Sequence, residues 1–422
     1  MNQVLVNNQI SFKEVLGAQE SKILTDLAQS AKNRLDQIGF PGRKSEDWKY
    51  TKTAQLFKNK YISAESSEDL KLAQLSIPEI KCPTLVIENG AINEKLTCLT
   101  DLEGLTILSF DLLNTAQIKK IGTISNDKSH PFSLLNLSHL QTGVFIHVGA
   151  NKKIDQPLHV VFVNSKKQVF SNTRLFVQLD QGAEFKMVQS FVNKQAQDAF
   201  VNHVSEFELA KESHLFVEKI QDVGGESHIC SEYAKQQDNS EFRINTFSNS
   251  GKLIRNGLNI FVDGENCSTY LNGLFVPSEK EHIDNHTHLE HIQPNCFSSE
   301  CYKGIVNHSA SGVFNGKVIV HQDAQKIMAY QQNNNILLTD QASVYAKPEL
   351  EIYADDVKCS HGSTTGQLDE QALFYLQARG ISKVSALELL MAGFVQEVLD
   401  NVQIEEVKSY YDKKIASLLL SN

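Results

Sequence analysis

The feature that most limits the fold of this chain is a stretch of well over two hundred residues without helical periodicity. From Thr84 to Tyr353, short runs alternate apolar and polar residues, for example at 144–148, 158–163 and 173–179. Gly, Asn, Asp and Ser separate these runs. Because alternation with a period of two is typical of β-strands and the separating residues favour turns, the segment is predicted to be a long β core.

Breaker clusters followed by strand patterns recur along this core. They lie around Gly182, Ser213, Ser240, Asn266, Ala310 and Ala342. The intervals are 31, 27, 26, 44 and 32 residues, so the repeat is irregular. A β-solenoid, in which each coil buries its apolar face against the next, would produce this texture. A β-sandwich would produce it as well, and the residues alone leave both folds open.

Helical patterns flank the core on both sides. Residues 11–40 are predicted to form a helix, with Ser11 and Glu14 as a capping box and a stop at 40–42. Beyond the core, a helix from Asp369 ends at a C′ glycine, a second begins with a capping box at 385–388, and a third covers about 403–420. The expected organisation is an N-terminal helical region (1–83), a β core (84–366) and a C-terminal helical domain (367–422).

Composition excludes several classes of function. Fifty acidic and forty basic residues give a net charge of −10, which argues against nucleic-acid and membrane-surface binding. The seven cysteines are scattered and include no CxxC pair, which favours a reducing compartment over a disulfide framework. No apolar run reaches the ~20 residues that a membrane helix needs. We therefore expect a cytoplasmic protein without a membrane or nucleic-acid partner.

Cys359 and His361 are the first candidates for chemistry. They lie two residues apart between a strand pattern and a helix pattern, in what reads as a turn. A cysteine thiolate and a neutral imidazole bind soft and borderline metals. The alternative interpretation is a small buried cysteine beside a histidine that caps the turn.

A second candidate is the histidine-rich segment from His282 to His291. On a strand, His282, Asp284, His286 and His288 would share one face. Such a face predicts either a cupin-like metalloenzyme or the polar outer surface of a solenoid coil. A cupin site would also require a histidine from a distant segment, such as 308 or 321.

Nucleotide and hydrolase motifs are missing from the sequence. The segment 312–318 is one residue short of a P-loop and lacks the hydroxyl that would hold magnesium. GxGxxG and GxSxG do not occur. This chain is therefore expected to bind no nucleotide, and any ATP-driven step must come from a partner.

Three segments together resemble a known family. They are RKSEDWKYT at 43–51, DNHTHLEH at 284–291 and ELEIYADDVKCSHGSTTGQLDEQALFYLQARGI at 349–381. They resemble the SufB/SufD family of scaffold proteins in the SUF system of iron–sulfur cluster assembly, and KCSHG is similar to the SufD branch. The resemblance implies a right-handed β-helix core flanked by helices, and a scaffold rather than an enzyme. It also implies a SufB partner and two copies of the ATPase SufC, and leaves a homodimer open.

The resemblance also implies roles for the candidate residues. It implies a nascent iron–sulfur cluster that is held transiently and shared with SufB. In that setting His361 is expected to supply a metal ligand at the SufB interface, with Cys359 as the weaker candidate. Arg379, Gly380 and Ile381, at the junction of two C-terminal helices, are expected to take part in docking the ATPase. A purely structural solenoid used for adhesion is disfavoured by the free cysteines and the missing signal peptide.

Overall fold

The dominant feature of the computed structural model is a β-solenoid of about 8 turns, with helices at both ends. The structure describes residues 22–420 except 43–44, 64–65, 68–69, 76, 78–79, 81, 100–101, 126–129, 141 and 195, and only the backbone of 74 and 416–420. The predicted β-helix is confirmed. The sandwich alternative is wrong, because the strands of successive turns pair in parallel rather than antiparallel.

Each turn of the solenoid contributes one strand to each of two parallel sheets. Sheet A contains β4 (Thr142–Val148), β6 (Phe170–Leu179), β8 (Phe200–Leu209), the second halves of β9 (His214–Gln236) and β10 (Glu241–Val262), β12 (His282–His291), β14 (Ser311–Val320) and β16 (Ser343–Ile352). Sheet B contains β5 (Leu158–Asn164), β7 (Glu184–Asn193), the first halves of β9 and β10, β11 (Ser268–Phe275), β13 (Phe297–Val306), β15 (Ile327–Leu337) and β17 (Val357–Gly366).

Three further strands lie at the N-terminal end of the stack. They are β1 (Thr84–Glu88), which pairs in parallel with β5, β2 (Ala91–Ile92), which is antiparallel to β1, and β3 (Leu105–Ser109), which is antiparallel to β4.

The coils stack closely in register. Positions 173, 203, 230, 256, 285, 314 and 346 are successive partners in sheet A, so the coils are 26 to 32 residues long. Alternate residues of each strand point inward, and their apolar members form one continuous buried core through all the coils. Period-two alternation along each strand thus fills the interior, while stacking of coils satisfies the backbone hydrogen bonds.

The N-terminal helices cover the outer face of sheet A. They are α1 (Lys22–Ile38), α2 (Thr115–Ile118) and α3 (Pro131–Ser138). The predicted helix 11–40 is observed from Lys22 onward, whereas its capping box at Ser11 and Glu14 lies outside the described residues. The expectation of a core without helices is wrong at α2 and α3. Helix α3 escapes detection because six of its eight residues are buried, so it has no polar face that would reveal a helical period.

Three C-terminal helices follow the last strand. They are α4 (Glu370–Ala378), α5 (Lys383–Leu399) and α6 (Glu405–Leu420). Asp369 caps α4, and Gly380 follows it with a φ of +89°, as predicted. The predicted capping box at 385–388 is wrong, because Ser382 caps α5 by accepting a hydrogen bond from the Ser385 amide. None of the described helices is long and apolar enough to cross a membrane.

Helices α5 and α6 are not detached from the solenoid. Their buried residues, including Met391 and Val395, pack on apolar side chains of sheet B such as Ile220 and Phe247. Lys303 on β13 also donates a 2.8 Å hydrogen bond to the Phe394 carbonyl. The C-terminal helices therefore complete the burial of sheet B.

Candidate functional site

The final coil of the solenoid, formed by β16 and β17, has an open edge. Among the described strands, β16 pairs with β14 and β17 pairs with β15, and neither has a parallel neighbour on its other side. Eight of the ten residues of β17 are exposed. An uncovered strand edge offers free N–H and C=O groups to another chain, so this end of the solenoid is a candidate interface.

Cys359 and His361 both lie on β17. The segment 359–362 was expected to be a turn, but it is strand, and the alternative of a turn-capping histidine is therefore wrong. Cys359 is in register with Ala329 and His361 with Gln331, two residues that point into the solenoid. The two candidates thus share the inward-facing side of their strand. Cys359 packs against the core, whereas His361 is exposed because no further coil among the described residues covers it.

Polar groups are buried directly beneath His361. The amide of Gln331 donates a 2.7 Å hydrogen bond to Glu300, which occupies the same position one coil below. Burial raises the pKa of Glu300 to about 7, with hydrogen bonds from Thr287 and Gln331 opposing the shift. The inward column Glu300, Gln331, His361 therefore begins in a buried, hydrogen-bonded pair and ends in an uncovered imidazole.

The donor set at this end is incomplete for a metal. A neutral imidazole is a good ligand for iron, but burial raises the pKa of the Cys359 thiol and so disfavours its thiolate. No group of three or more His, Cys, Asp or Glu side chains in the described parts of the chain is placed to hold a metal ion. A metal bound at His361 by three or more such side chains must take at least one of them from outside the described residues.

The histidine-rich strand β12 lies in the middle of sheet A. His282 Nε2 lies 2.8 Å from the Thr51 hydroxyl, and its Nδ1 lies 2.6 Å from the Ser311 hydroxyl. Asp284 accepts a 2.8 Å hydrogen bond from Arg255 and pairs with His286 at 3.1 Å. Because the strand belongs to a solenoid and its side chains are paired with one another, the cupin-like interpretation is wrong.

The second histidine segment required by that interpretation is nevertheless partly present. His288 Nε2 and His321 Nε2 lie 2.7 and 3.0 Å from the two oxygens of Glu290. His308 lies at another corner, against Ser278. Burial alone would raise the pKa of Glu290, but the hydrogen bonds from both imidazoles lower it. The carboxylate is thus held as a charged partner of the two rings.

The N-terminal motif at 43–51 packs against this strand. Trp48 contacts Phe132 at a ring distance of 5.1 Å and covers the guanidinium of Arg255 at 4.7 Å. The Asp47 carbonyl accepts a 3.2 Å hydrogen bond from the same guanidinium, and Thr51 bonds to Asp284. The segment therefore anchors the N-terminal region to sheet A, as the lone tryptophan between charges suggests. Arg43 and Lys44 lie outside the described residues.

A cavity of about 700 Å³ lies between this anchor and sheet A, with Trp48, Arg255 and His286 among its lining residues. Charged groups around it are paired, as in the 2.9 Å contact between Lys235 and Asp263. The cavity separates the anchor from the outer part of β12.

The junction of α4 and α5 carries the third set of candidates. The Arg379 guanidinium lies over the Tyr375 ring at 5.0 Å, and the Ile381 amide donates to the Leu376 carbonyl at 3.2 Å. Exposed apolar side chains surround the junction: Phe374 (73%), Tyr375 (57%), Val384 (57%) and Leu389 (54%). We call these four residues the apolar patch. Such a patch beside an arginine is typical of a protein-binding surface.

Sequence reasoning missed the apolar patch. It predicted the helix that begins at Asp369 but not the exposure of its apolar side chains, and none of the residues of α4 is buried. The available signal was the adjacent pair Phe374-Tyr375, since neighbouring residues on a helix cannot both lie on a narrow buried stripe.

Comparison with known proteins matches most of the chain to the models of one protein family. Residues 161–394 match the model of the core domain of SufBD proteins of SUF iron–sulfur cluster assembly, and residues 6–160 match the model of the SufBD N-terminal region. An iron–sulfur cluster assembly SufBD family protein of Synechocystis is 28% identical over 92% of this chain and 90% of its own length. The iron–sulfur cluster assembly protein SufD of Escherichia coli is 28% identical over 93% and 92%. SufD of Bacillus subtilis is 24% identical over 92% of both chains.

Proposed function

This chain belongs to the SufB/SufD family and has a role in iron–sulfur cluster assembly by the SUF system, and on that premise we propose that it is a non-catalytic scaffold subunit. In this proposal it pairs with a SufB-type chain, and two copies of a SufC-type ATPase attach to the pair. The nascent cluster is cargo that is held transiently between the scaffold chains. The chain itself binds no nucleotide and works in the cytoplasm.

The observation that carries the proposal is the open final coil. It combines unpaired strand edges with an exposed imidazole that points along the solenoid interior. A SufB-type partner that extends the sheets past β16 and β17 would satisfy the edges and cover His361. Cys359, partly buried one inward position away, would then lie at the same interface as a secondary ligand or as a packing residue.

The apolar patch supports the second contact. An ATPase does work on a scaffold only through a surface that it grips, and the patch lies on α4 and α5, of which α5 packs on sheet B. Arg379 would pair with an acidic group of the ATPase, while Gly380 and Ile381 shape the junction between the two helices. The alternative role of Arg379, interaction with the helix C-terminus, would contribute about 0.3–1 kcal/mol to helix stability.

Co-expression with SufB-type and SufC-type chains tests the proposal. We expect one complex that accumulates iron and sulfide, and we expect His361→Ala to assemble normally but to lose the cluster. The matched control is His308→Ala, which removes an exposed histidine from a corner away from the open edge. If the native chain forms no such complex, the scaffold proposal fails. If the complex forms and His361→Ala still matures iron–sulfur enzymes normally, the ligand assignment alone fails.

A further inference from the structure

A column of small residues runs along one corner of the solenoid, just before the strands of sheet B. In four successive coils a residue with positive φ precedes a buried small residue. The pairs are Glu212-Ser213, Asn239-Ser240, Asn266-Cys267 and Asn295-Cys296. The left-handed residue turns the chain, and the next side chain points into the corner. Serines occupy two of these positions and cysteines the next two, so two thiols lie in adjacent coils.

The geometry brings the two sulfur atoms together. The Phe297 amide donates a 2.9 Å hydrogen bond to the Cys267 carbonyl, and Ser268 is in register with Phe297. The Cα atoms of Cys267 and Cys296 are therefore about one strand spacing, ~4.8 Å, apart. Disulfides span Cα distances of ~4.4–6.8 Å. The two sulfurs lie 3.3 and 3.2 Å from the same carbonyl, that of Gly264, so the side chains converge.

Gly264 also covers the pair. A Cβ atom at this position would lie 2.2 Å from the backbone of Gln237 and Asp238, so only glycine lets the corner loop pack this closely on the preceding coil. As a result Cys267 and Cys296 are each only 1% exposed. Only a small reagent can reach the two thiols, unless the corner loop that contains Gly264 opens.

The two thiols differ in acidity. A hydrogen bond from Cys296 and a second from Ser240 outweigh burial and lower the pKa of Cys267 to about 7. The same contact and burial raise the pKa of Cys296 far above its ordinary value. Burial raises the pKa of Cys301, which has no thiol neighbour, to about 11. The paired geometry therefore favours a thiolate on one sulfur, with a second thiol beside it.

We propose that Cys267 and Cys296 are a redox-active dithiol that hydroperoxides oxidise to a disulfide between adjacent coils. The Cys267 thiolate attacks one peroxide oxygen and breaks the O–O bond. This step leaves a sulfenic acid on Cys267, and the departing hydroxide takes up the proton that Cys267 released. Cys296 then attacks the Cys267 sulfur, the S–O bond breaks, and a second water leaves with the Cys296 proton. Two thiols lose two electrons, and one hydrogen peroxide accepts them to give two waters.

The burial of the pair suits this product. A disulfide is uncharged, so the oxidised corner holds no unpaired charge, whereas a charged sulfinate would have to be desolvated there. The neighbouring Cys296 thiol also captures the sulfenic acid before a second peroxide can oxidise it further. The reaction is therefore expected to stop at a disulfide that added dithiol reverses.

Thiol counting on the native full-length chain tests the proposal. The reduced protein is treated with hydrogen peroxide, quenched, denatured and alkylated, and its mass is measured. We expect five of the seven cysteines to remain available for alkylation. Tryptic peptides 256–280 and 281–303 should be linked, and a dithiol should separate them. Because Cys301 shares the second peptide, the assignment uses Cys301→Ser, which should retain the link.

Single serine variants separate the two roles. Serine already occupies this column at Ser213 and Ser240, so Cys267→Ser and Cys296→Ser should both fold. In Cys296→Ser, Cys267 should stop at a sulfenic acid that dimedone traps, and in Cys267→Ser the other thiol should stay unreacted. If the native protein keeps both thiols while exposed Cys98 reacts, or if the link disappears in Cys301→Ser, the proposal is wrong.

Discussion

Replacement of Glu218 by glutamine should change how the stability of this protein depends on pH. Glu218 lies on the first half of β9, fully buried under the loop between α5 and α6. Its Oε1 accepts 2.9 Å hydrogen bonds from the Asn245 side chain and from the Gln403 amide. Its Oε2 has no hydrogen-bond partner among the described residues. Burial raises the pKa of Glu218 from 4.5 to about 8, against the lowering effect of those two hydrogen bonds.

The size of the effect follows from that shift. A carboxyl whose pKa is higher in the folded state stabilises the fold by binding a proton. This stabilisation is fully present below pH 4.5, the pKa of the unfolded chain, and is lost as the pH rises through about 8, the pKa of the folded state. Each pH unit between the two pKa values corresponds to about 1.4 kcal/mol. The free energy of unfolding therefore falls by about 3 kcal/mol between pH 4.5 and pH 7. The total loss, counted from pH 4.5 to above pH 8, is about 5 kcal/mol.

Glu218→Gln removes this titration but retains an Oε1 acceptor for Asn245 and Gln403. The variant and the native protein should have similar free energies of unfolding at pH 5, and the variant should be several kcal/mol more stable at pH 8.5. Urea unfolding at pH 5, 7 and 8.5 measures the difference. Other buried acids, such as Glu300, titrate in both proteins and cancel. The matched control is Glu212→Gln, an exposed glutamate on the preceding corner. A difference between Glu218→Gln and native protein that stays constant across these pH values would refute the reasoning.

Three further changes test other parts of the molecule. The double variant His286→Asn, His288→Asn should cost at most about 1–2 kcal/mol, because His288 and Glu290 are partly exposed and the buried Asp284 keeps its hydrogen bond from Arg255, and metal analysis should find no equivalent of metal lost. Phe374→Ser should leave the thermal unfolding midpoint unchanged, because the ring is exposed, but should weaken retention of the ATPase in a pull-down. Arg174→Met should destabilise the fold by about 3–5 kcal/mol in denaturant unfolding, since it leaves the buried Glu206 carboxylate without its 2.8 Å partner.

A point substitution in the apolar patch tests ATPase docking better than a truncation, because the C-terminal helices pack on sheet B. A chain ending near Thr365 would lack α5 and α6, which cover apolar residues of sheet B, and would also expose Glu218. Loss of ATPase binding in such a truncation would not distinguish a missing docking surface from a damaged core. Phe374 avoids this ambiguity because it lies on the outer side of α4.

The alternating texture of the sequence predicted a long β core and the family resemblance implied a β-helix, but neither gave the period of the coils. The breaker series placed Asn266 and Ala310 in one row, at an interval of 44 residues. In the structure they lie at different corners, since Asn266 precedes β11 in sheet B and Ala310 precedes β14 in sheet A. The residue in the next coil that matches Asn266 is Asn295, 29 positions later. Both corners use the same turn residues, so only the pairing of strands can tell them apart.

The candidate site, like the fold, could be predicted from the sequence only in part. The motif placed Cys359 and His361 two residues apart in an expected turn, and because the segment is a strand this spacing puts both side chains on one face. Their exposure could not be predicted, because β17 has the same pattern as strands inside the stack and differs only in being the last. The acidity of Glu218 and the contact between Cys267 and Cys296 were equally hidden, since each depends on residues far away in the chain.

In the proposed function, the open end of a single copy of this chain provides too few ligands for a cluster. A second chain would have to complete the site. In the inward column, Glu300 and Gln331 are buried beneath the last coil and bonded to each other. The next position, His361, is free of such a bond within the described part of the chain and is exposed at the open end. An iron–sulfur cluster is ordinarily held by about four ligands, mostly thiolates. One imidazole with a thiol that burial keeps protonated falls short of that number. A partner that docks on β16 and β17 would bring its own ligands, and its loss would release the cargo.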